Sequence, residues 1–346
     1  MELIAIDGSR GEGGGQILRT ALALSAVTGQ GFRMERIRAA RLRPGLRPQH
    51  LAAVRAAALC CGADVHGAFE GSPDLRFVPQ AVAPGDFTFD IGTAGAATLV
   101  LQTVLPILAT ASAPSRVTVF GGTHVPRSPT FHFLERHWAP VVERLGLLVR
   151  PRLAQAGFAP KGEGRVECEV LPWARPATLD LSVRGALLEV RGISGAARLR
   201  GDVAKRAADA ARQRLWEARR IESVWDVVEL NAPSPGSFLQ AEAVFEGGRA
   251  AFALLGERGR RPELMGERAA RLLLHSIDDE DAVVDPLLAD QLALPLAVAG
   301  GGGRLLTSDV TLHLETVAAV LRLFAVPAET WGRRGGPGGL QVGRWP

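Results

Sequence analysis

Two motifs recur along the chain at one fixed spacing, and this repetition limits the folds open to it. Asp7 and Asp90 each begin a glycine-containing turn that leads into an apolar helical pattern, and they lie 83 residues apart. Arg19 and Gln102, inside those helical patterns, have the same separation of 83 residues. A looser third counterpart is the segment 287–291, which again precedes an apolar run. The spacing predicts three related units of about 80 residues that pack on one another.

Three histidines near helix starts indicate an insertion in the third unit. His50 and His132 are 82 residues apart, whereas His132 and His313 are 181 apart, an excess of 99 residues. We therefore predict an α/β (α+β) protein in which three βαβαββ-type units form a large domain and a small βαββα-like domain is inserted. The predicted bounds are 1–182 for units one, two and the start of three, 183–276 for the insert, and 277–346 for the remainder. Segments 172–176 and 278–285 are the predicted joints.

Composition places the chain among globular proteins of a reducing compartment. Apolar residues make up 47% and charged residues 22%, which is ordinary globular usage. Three cysteines, two of them adjacent, cannot form a disulfide framework. The N-terminal residues lack the basic and apolar regions of a signal peptide. The uncharged stretch 91–114 contains Gln102 and Pro106, which favour a buried segment over a membrane span. We expect a soluble, cytoplasmic protein with no membrane partner.

The positive charge is carried almost entirely by arginine. The net charge is +4, and Lys161 and Lys205 are the only lysines in the sequence. An arginine-rich surface suits an anionic partner, although genomic base composition is the favoured explanation of the bias. The sequence contains neither a lysine nucleotidyl-transfer motif nor a Gly-x-x-x-x-Gly-Lys-Ser/Thr phosphate loop. A lysine nucleophile would therefore have only two candidates.

A glycine-rich turn lies between the first predicted strand and the first predicted helix. Segment 11–15 presents bare backbone N–H groups at a helix N-terminus, which suits an anion. Glu12 can hold a divalent metal beside a phosphate, and Arg19 follows in the helix. The alternative is a tight turn that simply requires glycine conformations.

A cluster of arginines follows in segment 36–47 and ends at a predicted helix start. Arg38, Arg41 and the nearby pair Gln49 and His50 belong to a stretch held by two prolines. Guanidinium groups bind phosphate in a bidentate manner, so the cluster is a candidate phosphate site. The alternative is a solvated arginine face.

His313 is the candidate nucleophile. It alternates with Leu312 and Leu314, so one alternative is a histidine buried in the core. A neutral imidazole is a competent nitrogen nucleophile, and the chain is poor in lysine. His313 is therefore the natural candidate for a covalent nucleotidyl intermediate.

Taken in order, these segments resemble the RNA 3′-terminal phosphate cyclases. The resemblance rests on segments 7–19, 43–51, 91–106, 121–129, 288–292 and 313–316 and covers essentially the whole chain. It implies ATP-dependent conversion of an RNA 3′-phosphate into a 2′,3′-cyclic phosphate. The implied intermediates are a covalent His313–AMP and an RNA adenylate.

The resemblance also implies roles for individual residues. Glu12 corresponds to the metal-bridging acid, with Mg²⁺ or Mn²⁺ as the metal, and His313 to the nucleophile. The implied ATP- and phosphate-binding residues are Arg19, Arg38, Arg41, Gln49, His50, Gln102, Pro129, Leu287, Leu288, Ala289, Asp290 and Gln291. The implied partner is RNA with a 3′-phosphate end, and the oligomeric state stays open.

The sequence departs from the family pattern at three positions. Glu163 stands in a glycine signature, Ala156 stands where a basic residue is usual, and Leu287 stands where an aromatic residue is common. We therefore expect base stacking either to be weaker or to be supplied by Phe131 or Phe133.

Two other classes of protein stay open. A cyclase-like RNA-binding or ribonucleoprotein assembly factor would lack the nucleophilic histidine, so His313 argues against it. An enolpyruvyl transferase would have two comparable lobes, which the predicted insert argues against.

Overall fold

The computed structural model of the chain describes residues 2–173 and 177–344 and has a mixed α/β architecture. Residues 174–176, within the first predicted joint, lie outside the described residues. The strands are β1 (Ile4–Asp7), β2 (Phe32–Glu35), β3 (Asp64–His66), β4 (Leu75–Val78), β5 (Asp86–Asp90), β6 (Ser115–Gly121), β7 (Val149–Gln155), β8 (Gly164–Val170), β9 (Ala177–Leu181), β10 (Leu187–Ala197), β11 (Val224–Glu229), β12 (Gly236–Phe245), β13 (Arg249–Leu255), β14 (Gly300–Thr307), β15 (Ala328–Gly332) and β16 (Gly338–Val342).

The helices lie between these strands and follow the apolar periodicity of the sequence. They are α1 (Gly15–Thr28), α2 (Pro48–Cys61), α3 (Ala97–Leu108), α4 (Phe131–Phe133), α5 (Ala139–Arg144), α6 (Val203–Arg219), α7 (Pro262–Asp278), α8 (Pro286–Val298) and α9 (Leu312–Leu323). A π-helical turn, Leu134–Trp138, joins α4 to α5. Helices α1 and α2 end at Gly29 and Gly62, whose φ values of 72° and 59° are left-handed and favour glycine.

Three of the four sheets in the described residues have the same strand order and directions. Their orders are β1-β2-β4-β3, β5-β6-β8-β7 and β9-β14-β16-β15. In each of them the first pair is parallel and the other two pairs are antiparallel. The fourth sheet, β11-β10-β12-β13, comes between β9 and β14 in the chain.

Apolar side chains form two principal cores. The larger core takes residues from the three similar sheets and from helices α1, α2, α3, α8 and α9. A separate core between α6, α7 and the fourth sheet uses only residues between Val190 and Leu274, together with partly buried neighbours. The fourth sheet and its two helices therefore have an apolar core of their own.

The local predictions differ from the structure at two places. The segment predicted as βαββα has a further strand, β13, so its order is βαβββα. The predicted helix 130–145 is divided by the π-helical turn. Within the described residues, no helix combines the length and the apolar character that crossing a membrane requires.

Candidate active site

The glycine-rich turn places Glu12 at the N-terminus of α1. Gly11 has a left-handed φ of 59°, and a Cβ there would come within 2.2 Å of Thr316 Oγ1. The Glu12 N–H donates to Thr316 Oγ1 at 3.1 Å, which fixes the turn against α9. The Glu12 carboxylate is mostly buried, and its Oε1 accepts a long hydrogen bond of 3.4 Å from Gln16 N. The close approach of the Gly11 backbone to the Thr316 side chain, together with the left-handed φ, requires glycine here and therefore sets the position of the acid.

Two of the predicted arginines lie at this turn. Arg41 Nη2 donates to the Glu12 backbone oxygen at 2.7 Å and to Glu12 Oε2 at 2.5 Å. Arg38 donates to the carbonyls of Arg43 and Gly45 at 2.8 and 2.9 Å, so it holds the arginine-rich loop closed. Burial and the nearby charge of Arg41 lower the pKa of Arg38. The loop thus concentrates positive charge beside Glu12.

His50 and Arg19 lie together over the start of α1. A Cβ on Gly15 would meet His50 Nε2 at 2.5 Å and Arg19 Nη1 at 2.7 Å. His50 Nδ1 accepts from the Arg47 N–H at 3.1 Å. Burial, followed by the charges of Arg19, Arg38 and Arg47, lowers the pKa of His50 to about 3, so its imidazole is neutral at pH 7. Burial lowers the pKa of Arg19 to about 10, which still leaves it charged. The site therefore offers a cation and a neutral imidazole at a helix N-terminus.

His313 is the second residue of α9 and lies close to Glu12. Its side chain is 50% exposed, and its Nδ1 is 3.8 Å from Glu12 Oε1. Thr311 caps the helix by accepting from the Leu314 N–H at 2.9 Å. The alternative interpretation, in which His313 is buried in the core, is therefore wrong, because the imidazole is open to solvent and to a substrate.

Asp290 is linked to the start of α9. Its Oδ1 accepts from Thr311 Oγ1 at 2.5 Å. Burial is the main cause that raises the pKa of Asp290 to about 7, with smaller effects from Asp285, Asp309 and Glu12. The carboxyl group therefore titrates near neutral pH, and a shift of this kind is typical of functional sites.

Three further predicted residues, Gln49, Gln102 and Pro129, lie close to α3. Thr98 Oγ1 donates to the Pro129 carbonyl at 2.8 Å, and Gln102 follows one turn later on the same helix face. A Cβ on Gly95, just before α3, would come within 2.9 Å of Gln49 Cβ. The Gln102 amide is 8% exposed, and neither of its polar atoms has a hydrogen-bond partner among the described residues. A buried amide without a partner is unfavourable, so a bound group that pairs with it would gain binding free energy.

The segment 287–291 forms the first turns of α8, and its members differ in exposure. Leu287 is partly exposed, whereas the side chains of Leu288 and Ala289 are fully buried in the core. The side chains of those two residues therefore hold the first turn of α8 in place and do not face a ligand. The Gln291 carbonyl accepts from Trp138 Nε1 at 3.1 Å.

The structure corrects one expectation and adds one residue pair. Phe131 and Phe133 are completely buried, so the prediction that either ring stacks on a base was wrong. The buried pair of His137 Nε2 and Asp285 Oδ2, 2.6 Å apart, was not predicted. Asp285 also caps α8 by accepting from Leu288 N at 2.9 Å. The Asp-Pro dipeptide before an apolar run was the available signal for that cap.

A divalent ion at Glu12 is compatible with the chemistry of this site. No cluster of three or more His, Cys, Asp or Glu side chains with metal-site geometry occurs in residues 2–173 and 177–344. Mg²⁺ is commonly held by one or two carboxylates, with water and substrate phosphates filling the other positions. A single mostly buried carboxylate beside an arginine-rich loop fits that pattern.

Comparison with known proteins identifies the family. The family model described as RNA 3′-terminal phosphate cyclase matches residues 10–327. The chain belongs to the RNA 3′-terminal phosphate cyclase family. A cyclase from Koribacter versatilis is 44% identical over 94% of this chain and 90% of the relative. Cyclases from Ralstonia nicotianae and Pyrobaculum aerophilum are 46% and 39% identical, each over 93% of this chain and over 91% and 92% of the relatives.

Membership in the cyclase family confirms the resemblance seen in the sequence. It also confirms the prediction that the chain is an enzyme, and it removes the enolpyruvyl transferase alternative. A solved enolpyruvyl transferase, NikO from Streptomyces tendae, is 18% identical and covers 48% of this chain and 33% of its own, with a TM-score of 0.26.

Proposed function

We propose that the chain converts an RNA 3′-phosphate into a 2′,3′-cyclic phosphate with ATP, through a covalent His313–AMP intermediate. The observation that carries this proposal is the half-exposed His313 imidazole beside Glu12, at the edge of the arginine-rich loop. Family membership supports the overall reaction.

In the first step the His313 imidazole attacks the α-phosphorus of ATP. Nδ1 faces the Glu12 carboxylate, which leaves Nε2 as the attacking nitrogen. The N–P bond forms, the bond to the bridging oxygen breaks, and pyrophosphate leaves. Arg38, Arg41 and Arg19 neutralise charge on the phosphates, which is the main task of a protein in phosphoryl-type transfer.

In the second step an oxygen of the RNA 3′-phosphate attacks the same phosphorus and the N–P bond breaks. The imidazole is regenerated and the RNA end becomes an adenylate. The neighbouring 2′-OH then attacks the 3′-phosphorus and AMP leaves, which closes the cyclic phosphate. A phosphate monoester has no good leaving group before adenylation, whereas the 2′-OH is already placed for attack.

In this proposal Gln102, Pro129, Gln49 and the segment 287–291 bind the nucleotide. The unpartnered Gln102 amide and the partly exposed Leu287 support that role. The neutral His50 imidazole contributes a hydrogen bond at the phosphates without adding charge. Glu12 would hold Mg²⁺ or Mn²⁺, which would supply charge neutralisation at the reacting phosphates.

The domain organisation is part of the same proposal. The shared strand order of three sheets supports three related units, and the separate apolar core supports an inserted domain at 183–276. The three free, buried cysteines suit a cytoplasmic location.

The test is incubation with α-labelled ATP and a divalent metal, followed by a denaturing gel. We expect a labelled protein band that is acid-labile and alkali-stable, and we expect it to be absent in His313→Ala. A 3′-phosphorylated RNA should discharge the label and yield a cyclic end. A folded protein that forms no adduct would instead favour the non-catalytic RNA-binding alternative.

A further inference from the structure

A cavity of about 640 Å³ opens between the edge strand β1 and the helix α9. Its floor is apolar and is formed by the buried side chains of Ile6, Ile17 and Val320. Ala319 and Leu323 lie at its mouth and are exposed. An apolar depression of this size is a natural site for a ligand, and nothing in the reaction described so far uses it.

The cavity adjoins the reacting groups. Gly11 and Leu312 line it, and they immediately precede Glu12 and His313 in the chain. Leu312, Thr316 and Ala319 recur at helical spacing and share one face of α9. His313 lies about 100° around the same helix from Leu312, on its first turn. A molecule bound in the cavity would therefore have one end close to His313.

The rim of the cavity is rich in arginine. Asp7 lies close to both Arg10 and Arg36, and Arg33 is 3.0 Å from Glu35. Arg334 is paired with Glu315 in the same way. The four arginine side chains are all more than half exposed, so these ion pairs are weak and their guanidinium groups can turn to another anion.

Arginines of a single loop lie both at this rim and at the candidate phosphate site. Arg36 lines the cavity, and Arg38 and Arg41 follow in the same loop, where Arg41 contacts Glu12. A polyanion whose end lies at Arg38 and Arg41 can therefore continue across Arg36 into the cavity. Single-stranded nucleic acid sites combine such a positive path with an apolar surface for the bases.

We propose that this cavity binds the 3′-terminal nucleosides of the RNA substrate, with a base on the apolar floor and the preceding phosphates on the rim arginines. This inference rests on the proposed function. It names the surface along which the bound RNA chain runs away from the reacting 3′ end. The lining contains no aromatic side chain, so the base rests on aliphatic groups. Affinity then depends more on phosphate contacts than on stacking.

The first experiment changes the charge at the mouth of the cavity while the size of the introduced side chain is kept the same. Ala319→Glu and Ala319→Gln carry side chains of equal length and similar helix propensity. Adenylation by ATP requires no RNA, so it should be unchanged in both variants. The KM for a 3′-phosphorylated oligoribonucleotide should rise about tenfold in Ala319→Glu relative to Ala319→Gln, because the new carboxylate opposes the phosphates.

The second experiment removes rim arginines and measures salt dependence. In Arg33→Ala and Arg334→Ala, the slope of log KM for RNA against log salt concentration should fall by about 0.7 for each lost contact. Arg152→Ala is the matched control, because Arg152 is also more than half exposed, lies on β7, pairs with Glu167 at 2.9 Å and is not part of the cavity. Its slope should equal that of the wild type.

The outcomes separate this inference from the proposed function. A wild-type chain that forms no AMP adduct and cyclises no RNA contradicts the proposed function itself. A wild type that cyclises RNA, with equal KM values for Ala319→Glu and Ala319→Gln and unchanged salt slopes in the arginine variants, overturns the RNA subsite alone.

Discussion

Replacing Asp290 by asparagine should remove a pH-dependent loss of stability. The carboxyl group is 5% exposed, and burial raises its pKa from 3.8 to about 7, with Asp285, Asp309 and Glu12 adding to the effect. Because the folded-state pKa is raised, the folded chain holds a proton between about pH 4 and pH 7 that the unfolded chain releases. The stability that this proton supplies is lost as the pH rises through that window. A shift of about three pKa units corresponds to about 4 kcal/mol.

The difference in the free energy of unfolding between Asp290→Asn and the wild type should grow with pH. Asparagine retains an oxygen for the Thr311 hydroxyl but never ionises. Relative to the wild type, Asp290→Asn should gain up to about 4 kcal/mol in the free energy of unfolding by pH 8 and almost nothing at pH 4. Urea unfolding at half-unit intervals of pH measures this difference directly.

The control is Asp281→Asn, which makes the same chemical change at an exposed carboxylate. Its stability difference from the wild type should stay near zero throughout the range. If the difference between Asp290→Asn and the wild type were constant from pH 4 to pH 8, Asp290 would not carry a raised pKa and the argument from burial would be refuted.

Four further variants test the site and its support. His313→Ala should abolish the AMP adduct while changing the free energy of unfolding by less than about 0.5 kcal/mol, as measured by urea unfolding, because the side chain is half exposed. Arg41→Ala should slow adduct formation about tenfold to a hundredfold, and an unchanged rate would exclude Arg41 from the mechanism. His137→Ala should destabilise the chain by about 2–5 kcal/mol, since it removes the buried hydrogen bond to Asp285 and leaves a cavity in place of a fully buried ring, and a loss below 1 kcal/mol would contradict this. Glu163→Gly should stabilise by about 0.5–1 kcal/mol in the same assay, because Glu163 has a left-handed φ of 54°, and any destabilisation would show that its side chain has a role.

Much of the local structure was predictable from periodicity and turn residues. The helical pattern of 48–61 matches α2, and the long alanine- and arginine-rich pattern of 202–218 matches α6 within one residue. Strand β13 was not predicted because its apolar run lacks a clear alternation and has only a three-residue turn before it. The π-helical turn at 134–138 was not predictable either, because nothing in its composition separates it from an α-helix.

The residues of the candidate site were found by motif, but their partners were not. Glu12, Arg41 and His313 were identified from the sequence and lie together in the structure. The His137–Asp285 pair joins positions 148 residues apart, and no local pattern indicates such a contact. The burial of Phe131 and Phe133 likewise depends on neighbours distant in the chain.

The sequence by itself determined which groups the chain can offer for chemistry and where its local elements begin. Glycine turns, helix caps and apolar periodicity depend on near neighbours, so they can be identified from the sequence alone. Only the tertiary structure decided that the Glu12 N–H donates to Thr316, 304 residues away, and so brought the acid to the nucleophile's helix. It also decided the pKa values of Asp290 and His50, because a pKa shift depends on burial and on charges from separate segments.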